Sequence, residues 1–155
     1  MVIKFIYTLF LALIIAFFVG LGIDAFYEGP KAPEYPSALN IDIKSDCLET
    51  AEHRALRENF DQEQKEYMEA EKIYSRNVSI ISLVAAILIL ILSLTLLSKI
   101  KMIADGILLG GVFTTIYSIG RGLMSDSSQF RFLIVTIGLV IALVLGYIKF
   151  IRAKE

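Results

Sequence analysis

Residues 77–98 read NVSIISLVAAILILILSLTLLS, 22 consecutive positions without a charged side chain. A helix rises 1.5 Å per residue and a bilayer hydrocarbon core is roughly 30 Å thick, so about 20 such residues cross it. Three other uncharged runs occur in the chain: 19 positions from Phe5 to Ile23, 15 from Gly106 to Gly120 and 17 from Phe132 to Ile148. The third reaches spanning length when extended past Arg121 to Met124, because a long arginine carries its charge to the interface while its stem stays in apolar surroundings. The reading is an all-α membrane protein, a four-transmembrane-helix bundle.

Composition agrees. Of the 155 residues 56% are hydrophobic and 20% charged, with a mean hydropathy of +0.68; soluble domains carry about 25% charged residues. Residues 28–76 hold 12 acidic and seven basic side chains, a net −5, whereas the rest of the chain holds eight basic and four acidic, a net +4. The overall −1 is thus a cancellation between a polar insert and an oily remainder. The expected division is a first transmembrane helix at 1–27, a proline-containing connector at 28–45, an acidic helix at 46–76, a second span at 77–98, a short inner loop at 99–105, a third span at 106–124, a fourth at 129–150 and an inner tail at 151–155.

The first span has a short positive start at Lys4 but an apolar stretch longer than the 7–15 residues of a signal peptide, and no clean A-x-A-like site follows it. A retained span is expected. Lys4, Lys99, Lys101, Lys149, Arg152 and Lys154 crowd into very short segments that share one side if the N-terminus is inside. Density of Lys and Arg near the spans sets topology, so both termini are expected to be cytoplasmic, in a plasma or inner membrane. The insert between the first two spans then becomes an extracytoplasmic helix with its connector.

In the connector Pro30, Pro33 and Pro36 recur at three, the repeat of a polyproline II strand, which lines such rings along one edge. A stiff connector leaving the membrane is the plainer reading, with Tyr27 and Tyr35 as interfacial anchors; a strap for an aromatic groove is the functional one. From Asp46 to Arg76 the chain is rich in helix formers and free of Gly and Pro. Asp46 with Glu49 resembles a capping box, and Ser45 competes as cap. Nothing between Arg76 and Val78 stops a helix, so one helix from about Asp46 to Ser98 is expected, with its polar part reaching some 45 Å beyond the span; the alternative is a break near Asn59, Phe60 and Asp61. Phe60, Tyr67 and Tyr74 recur at seven as an incomplete seam, interrupted by the polar run Asp61 to Glu66. They are the candidate contacts to a partner helix or a second copy.

Small residues recur every four positions in three spans: Ala12, Ala16 and Gly20; Gly106, Gly110, Thr114, Ser118 and Gly122; Gly138, Ala142 and Gly146. In lipid, apolar burial does not drive helices together, and such rows let backbones approach. Four residues turn a helix by about 400°, so the five-membered row drifts by roughly 160° and meets different neighbours at its two ends. The second span lacks glycine and is expected to be the lipid-facing member, with Ser79, Ser82, Ala86 and Ser93 turned inward. Asp24 lies 20 residues beyond Lys4, and Arg121 20 beyond Lys101, which places both at the same outer depth as a candidate intramembrane ion pair. Thr114, Thr115 and Ser118 either bond to helix carbonyls or line a narrow aqueous path. Asp105 is expected to cap the third helix.

No motif carries catalysis or a cofactor. The lone Cys47 cannot form an intrachain disulfide, the lone His53 lies outside every apolar run, and the two together do not complete a zinc site. No basic cluster points to nucleic acid. Asn77-Val78-Ser79 matches the glycosylation pattern but abuts a span, and is discounted. The expectation is a non-enzymatic integral membrane protein, an accessory, scaffold or assembly subunit contacting a partner protein or another copy through its extracytoplasmic helix. One alternative is a small oligomeric transporter or channel that uses the polar face of the third span with Asp24 and Arg121; another is a membrane sensor coupled to a separate cytoplasmic partner.

Overall fold

Each apolar run folds as a helix because a straight, self-bonded helix satisfies every backbone amide without outside partners. A computed structural model of the chain describes residues 2–36, 51–96 and 100–148. It contains helices α1 (Val2–Phe26), α2 (Ala51–Leu96), α3 (Lys101–Leu123) and α4 (Ser128–Gly146), and no strand among the described residues. All four are long and apolar enough to cross a membrane. The second is a single helix of 46 residues that contains both the acidic stretch and the run at 77–96, with no break at Asn59 to Asp61. The expected cap at Ser45 or Asp46 lies outside the described residues.

Two compact units divide the chain, one formed by residues 1–28 with 75–155 and the other by 29–74. The first is organised around α3, which touches every other apolar helix. Leu11 and Ile15 of α1 meet Gly106 and Gly110 of α3, a constant offset of 95 residues that makes these helices parallel. Leu90 of α2 lies on Gly111, and Ser93 bonds to Ala104; the partners run in opposite order, so α2 and α3 are antiparallel. Ile134 lies on Gly122 and Ile119 on Gly138, which makes α4 antiparallel to α3 as well. The result is an up-down-up-down bundle.

Small side chains set these approaches. A Cβ added to Gly110 would stand 2.9 Å from the Cβ of Ile15, and one added to Gly111 would stand 2.6 Å from Leu90 Cδ2. The five-membered row of α3 does drift: Gly106 and Gly110 face α1, while Ser118 faces α2 and Gly122 faces both α2 and α4. In α1, Ala12 is fully buried, but Ala16 is half-exposed and Gly20 has nothing within 4 Å of its added Cβ. In α4 only Gly138 of its row makes a close approach; Ala142 is exposed and Gly146 is open. A repeat of four on a helix of 3.6 residues per turn winds off the contact face, and these outer members have wound off it.

The expectation for the second span needs correction. In α2, 39% of the apolar window is buried, against 6% in α1 and in α4, so α2 and α3 form the centre and the flanking helices the periphery. Absence of glycine misled here, because Ser79, Ser82, Ala86 and Ser93 are small enough to serve as the close-approach surface, and all four are fully buried. Asp105 likewise is no cap: α3 begins four residues earlier at Lys101, after Ile100, with no side-chain cap bond.

The contrast between crowded and open glycines is testable by unfolding in detergent micelles. Gly110→Ala should destabilise the bundle by about 1–3 kcal/mol, as overpacking against a branched Cβ does. Gly20→Ala should be neutral or stabilising by up to about 1 kcal/mol, the intrinsic helix gain.

Candidate functional site

In the first unit the polar side chains that the chain buries collect along the α2–α3 seam. Ser79 Oγ donates to the Ser118 carbonyl at 2.8 Å, and Ser118 Oγ donates to the Ser79 carbonyl at 2.7 Å. The two bonds are reciprocal, each helix giving one hydroxyl and one carbonyl. Fourteen residues along α2, Ser93 Oγ donates to the Ala104 carbonyl at 2.7 Å. Thr114 and Thr115 donate within α3 to the carbonyls of Gly110 and Gly111, both at 2.9 Å. Of the two readings of this polar side, bonding to helix carbonyls is the arrangement found.

At the end of the bundle where α1 and α3 finish, the side chains are more varied. Asn77 Nδ2 donates to the Tyr27 hydroxyl at 2.8 Å, so the asparagine of the glycosylation pattern is engaged in packing. Arg131 Nε donates to the Ser125 carbonyl at 2.6 Å, closing the turn from α3 to α4, and Ser127 caps α4 by accepting from the Phe130 amide. Ser75, one turn before Ser79, is fully buried, and its hydroxyl has no hydrogen-bond partner among the described residues.

The depth argument for Asp24 and Arg121 agrees with the parallel offset of α1 and α3, which sets residue 24 beside residue 119. Their orientation is another matter. Ala12 and Ile23, eleven residues apart and so on one face, turn inward; Asp24 is rotated from them by about 100° and is exposed. Arg121 is half-buried, and among the described residues no ion pair joins it to Asp24.

The second unit supplies a different surface. Tyr35 meets Phe60 edge-on, with ring centroids 5.3 Å apart and planes at 79°. The aromatic ring of Tyr74 lies 3.3 Å from where a Cβ on Gly29 would stand. Between these contacts Pro30, Lys31 and Pro33 bound one side of a hollow of about 370 Å³, with Glu63, Glu66, Tyr67 and Ala70 on the other. Residues 29–35 therefore run antiparallel to residues 60–74 of α2 as a strap, with residue 29 at Tyr74 and residue 35 at Phe60. Fourteen helical residues rise about 21 Å, which six extended residues match at about 3.5 Å each.

Phe60, Tyr67 and Tyr74 are all half-buried. The seam expected to meet a partner or a second copy is covered in part by the chain's own connector, because the aromatic groove and the proline edge occur in the same 50 residues. The contacts are Tyr35 with Phe60 and Gly29 with Tyr74, and Pro30 and Pro33 line the hollow between them. Gly111 and Ser75, both buried, fall outside the four-residue rows, and no repeat in the sequence marks them.

Two outcomes follow for substitutions in the first unit and one in the second. Ser79→Ala should lower stability by about 0.5–1.5 kcal/mol, and a double-mutant cycle with Ser118→Ala should show coupling. Ser75→Ala should be neutral or stabilising in the same unfolding assay, since it removes a buried hydroxyl without a partner. Tyr35→Ala should speed tryptic cleavage after Lys31 by severalfold, as loss of an aromatic pair worth about 0.5–1.5 kcal/mol loosens the strap.

No protein-family model matches the chain, and no characterised protein or solved structure matches it either.

Proposed function

We propose that the chain is a non-enzymatic, four-span integral membrane protein acting as an accessory, scaffold or assembly subunit, with the strap and the first half of α2 as its extracytoplasmic contact surface. The observation that carries this reading is the distribution of side chains. The first unit buries serine, threonine, glycine and alanine, while Phe5, Phe10, Phe17, Phe18, Leu88, Phe132 and Leu143 are exposed. Exposed apolar surface on that scale is unfavourable in water and natural in lipid.

The up-down-up-down order supports placing both chain ends on one side, where Lys4, Lys99, Lys101, Lys149, Arg152 and Lys154 accumulate in the sequence. The acidic insert then lies on the other side. The hydroxyls of Thr114, Thr115 and Ser118 donate to carbonyls, so the polar face of α3 lends the transporter reading no free donors. Because the strap covers part of the aromatic side of α2, the contact surface is the uncovered circumference of the helix, the strap's outer edge and the hollow between them. Met68 and Ile73, 46% and 55% exposed, are the apolar points on it.

A photo-crosslinking residue in place of Met68, in native membranes, should yield a discrete adduct to another protein or to a second copy. A chain that stays monomeric and free of adducts there and at Ile73 would overturn the reading. Orientation has its own check: in a Cys47→Ser background, Glu63→Cys should react with an impermeant maleimide from the extracytoplasmic side, and Lys4→Cys should not.

A further inference from the structure

We propose that the hollow between the strap and α2 receives an arginine side chain from an extended basic segment of a partner protein. This rests on the reading of the insert as a contact surface and names the chemistry of what it meets.

The walls of the hollow are suited to a flat cation on an aliphatic stem. Glu63 and Glu66 are one turn apart on the helix, and Tyr67 follows Glu63 by four positions, so two carboxylates and a phenol ring share one face. Both carboxylates are exposed, and among the described residues neither is taken up by an ion pair. Pro30 and Pro33 supply apolar flats opposite. A guanidinium carries five donors in a planar fork that fits a carboxylate at two points and stacks on a tyrosine face; an ammonium offers a point charge with neither fit. Lys31 at the rim adds one positive charge against the two carboxylates, which leaves the hollow net negative.

The surroundings select a segment over a free small molecule. From Glu58 to Glu71 the helix holds six acidic residues and one lysine, Lys65, a field that attracts a run of positive charge. About 370 Å³ is at the small end of ligand clefts, and an open groove bounded by one strap and one helix does not enclose a ligand as such clefts do. An occupant therefore needs contacts beyond the hollow, which flanking residues of a peptide provide along the acidic run.

The test uses the full chain in detergent micelles, isotope-labelled in its tyrosine rings, titrated with the peptide Ser-Arg-Gly-Arg-Ser-amide at low salt. Saturable shifts are expected at Tyr67, with affinity reduced at least about fivefold in Glu63→Gln/Glu66→Gln. The same charge change on the opposite face, Glu58→Gln/Asp61→Asn, should alter affinity less than about twofold. Replacing both arginines of the peptide by lysine should weaken it at least about threefold. The rate of tryptic cleavage after Lys31, measured on each variant, verifies that the hollow persists, and Tyr67→Leu provides a second loss that leaves charge unchanged. The proposal is overturned by absent saturation, by equal loss from the two double variants, by equal affinity for the lysine peptide, or by arginine amide alone binding as tightly as the peptide. Adducts at Met68 in native membranes alongside any of these results would sink the hollow while leaving the contact-surface reading intact.

Discussion

Close approach of α3 to three neighbours is the constraint on which the rest of the first unit depends. A helix in an apolar surrounding gains little by exchanging lipid-like contacts for protein ones, so packing and hydrogen bonding must supply the association. Here both come from small residues. Gly106, Gly110 and Gly111 remove side-chain bulk where Leu11, Ile15 and Leu90 press in, and the serines of α2 add directional bonds where backbones are near enough to be reached. Replacing bulk by hydroxyls and hydrogens leaves the large apolar side chains facing outward. That outward apolar face accompanies four helices that are each long and apolar enough to cross a membrane.

How much of this was legible in the sequence depends on what each signal encodes. Length of an uncharged run encodes a helix directly, and all four runs are helical. The five-membered row of α3 was legible in full, including its change of neighbour, because helical geometry alone decides the drift. Rank within the bundle was not legible. The inward turn of Ser79, Ser82, Ala86 and Ser93 was legible, and all four are buried; that their helix is central and not peripheral was not, because a partner helix with glycine opposite decides it and no single helix contains that information. For Asp24 and Arg121 the depth was legible and the azimuth was not. Depth counts residues, but azimuth depends on which face of α1 docks.

The insert teaches a similar lesson about pairing. Its prolines and its aromatics were each recognisable as half of an interaction, and either half could be satisfied by a partner. The aromatics are met instead by Tyr35 on Phe60 and Gly29 against Tyr74, with Pro30 and Pro33 lining the hollow between. An insert of 49 residues is below the size at which one core is self-sufficient. Laying an extended segment along a helix gives a polar stretch some tertiary structure without a core, and leaves a shallow groove where the two elements do not fill the space between them.

The reciprocal bonds between Ser79 and Ser118 also bear on motion. Sliding α2 along α3 by even one residue would break both at once and turn each hydroxyl back to a carbonyl of its own helix, whereas a lone bond admits gradual slippage. Shear between α3 and the part of α2 within the first unit is therefore disfavoured. The contacts of α1 and α4 with α3 at Gly106, Gly110 and Gly138 are made of side-chain packing instead.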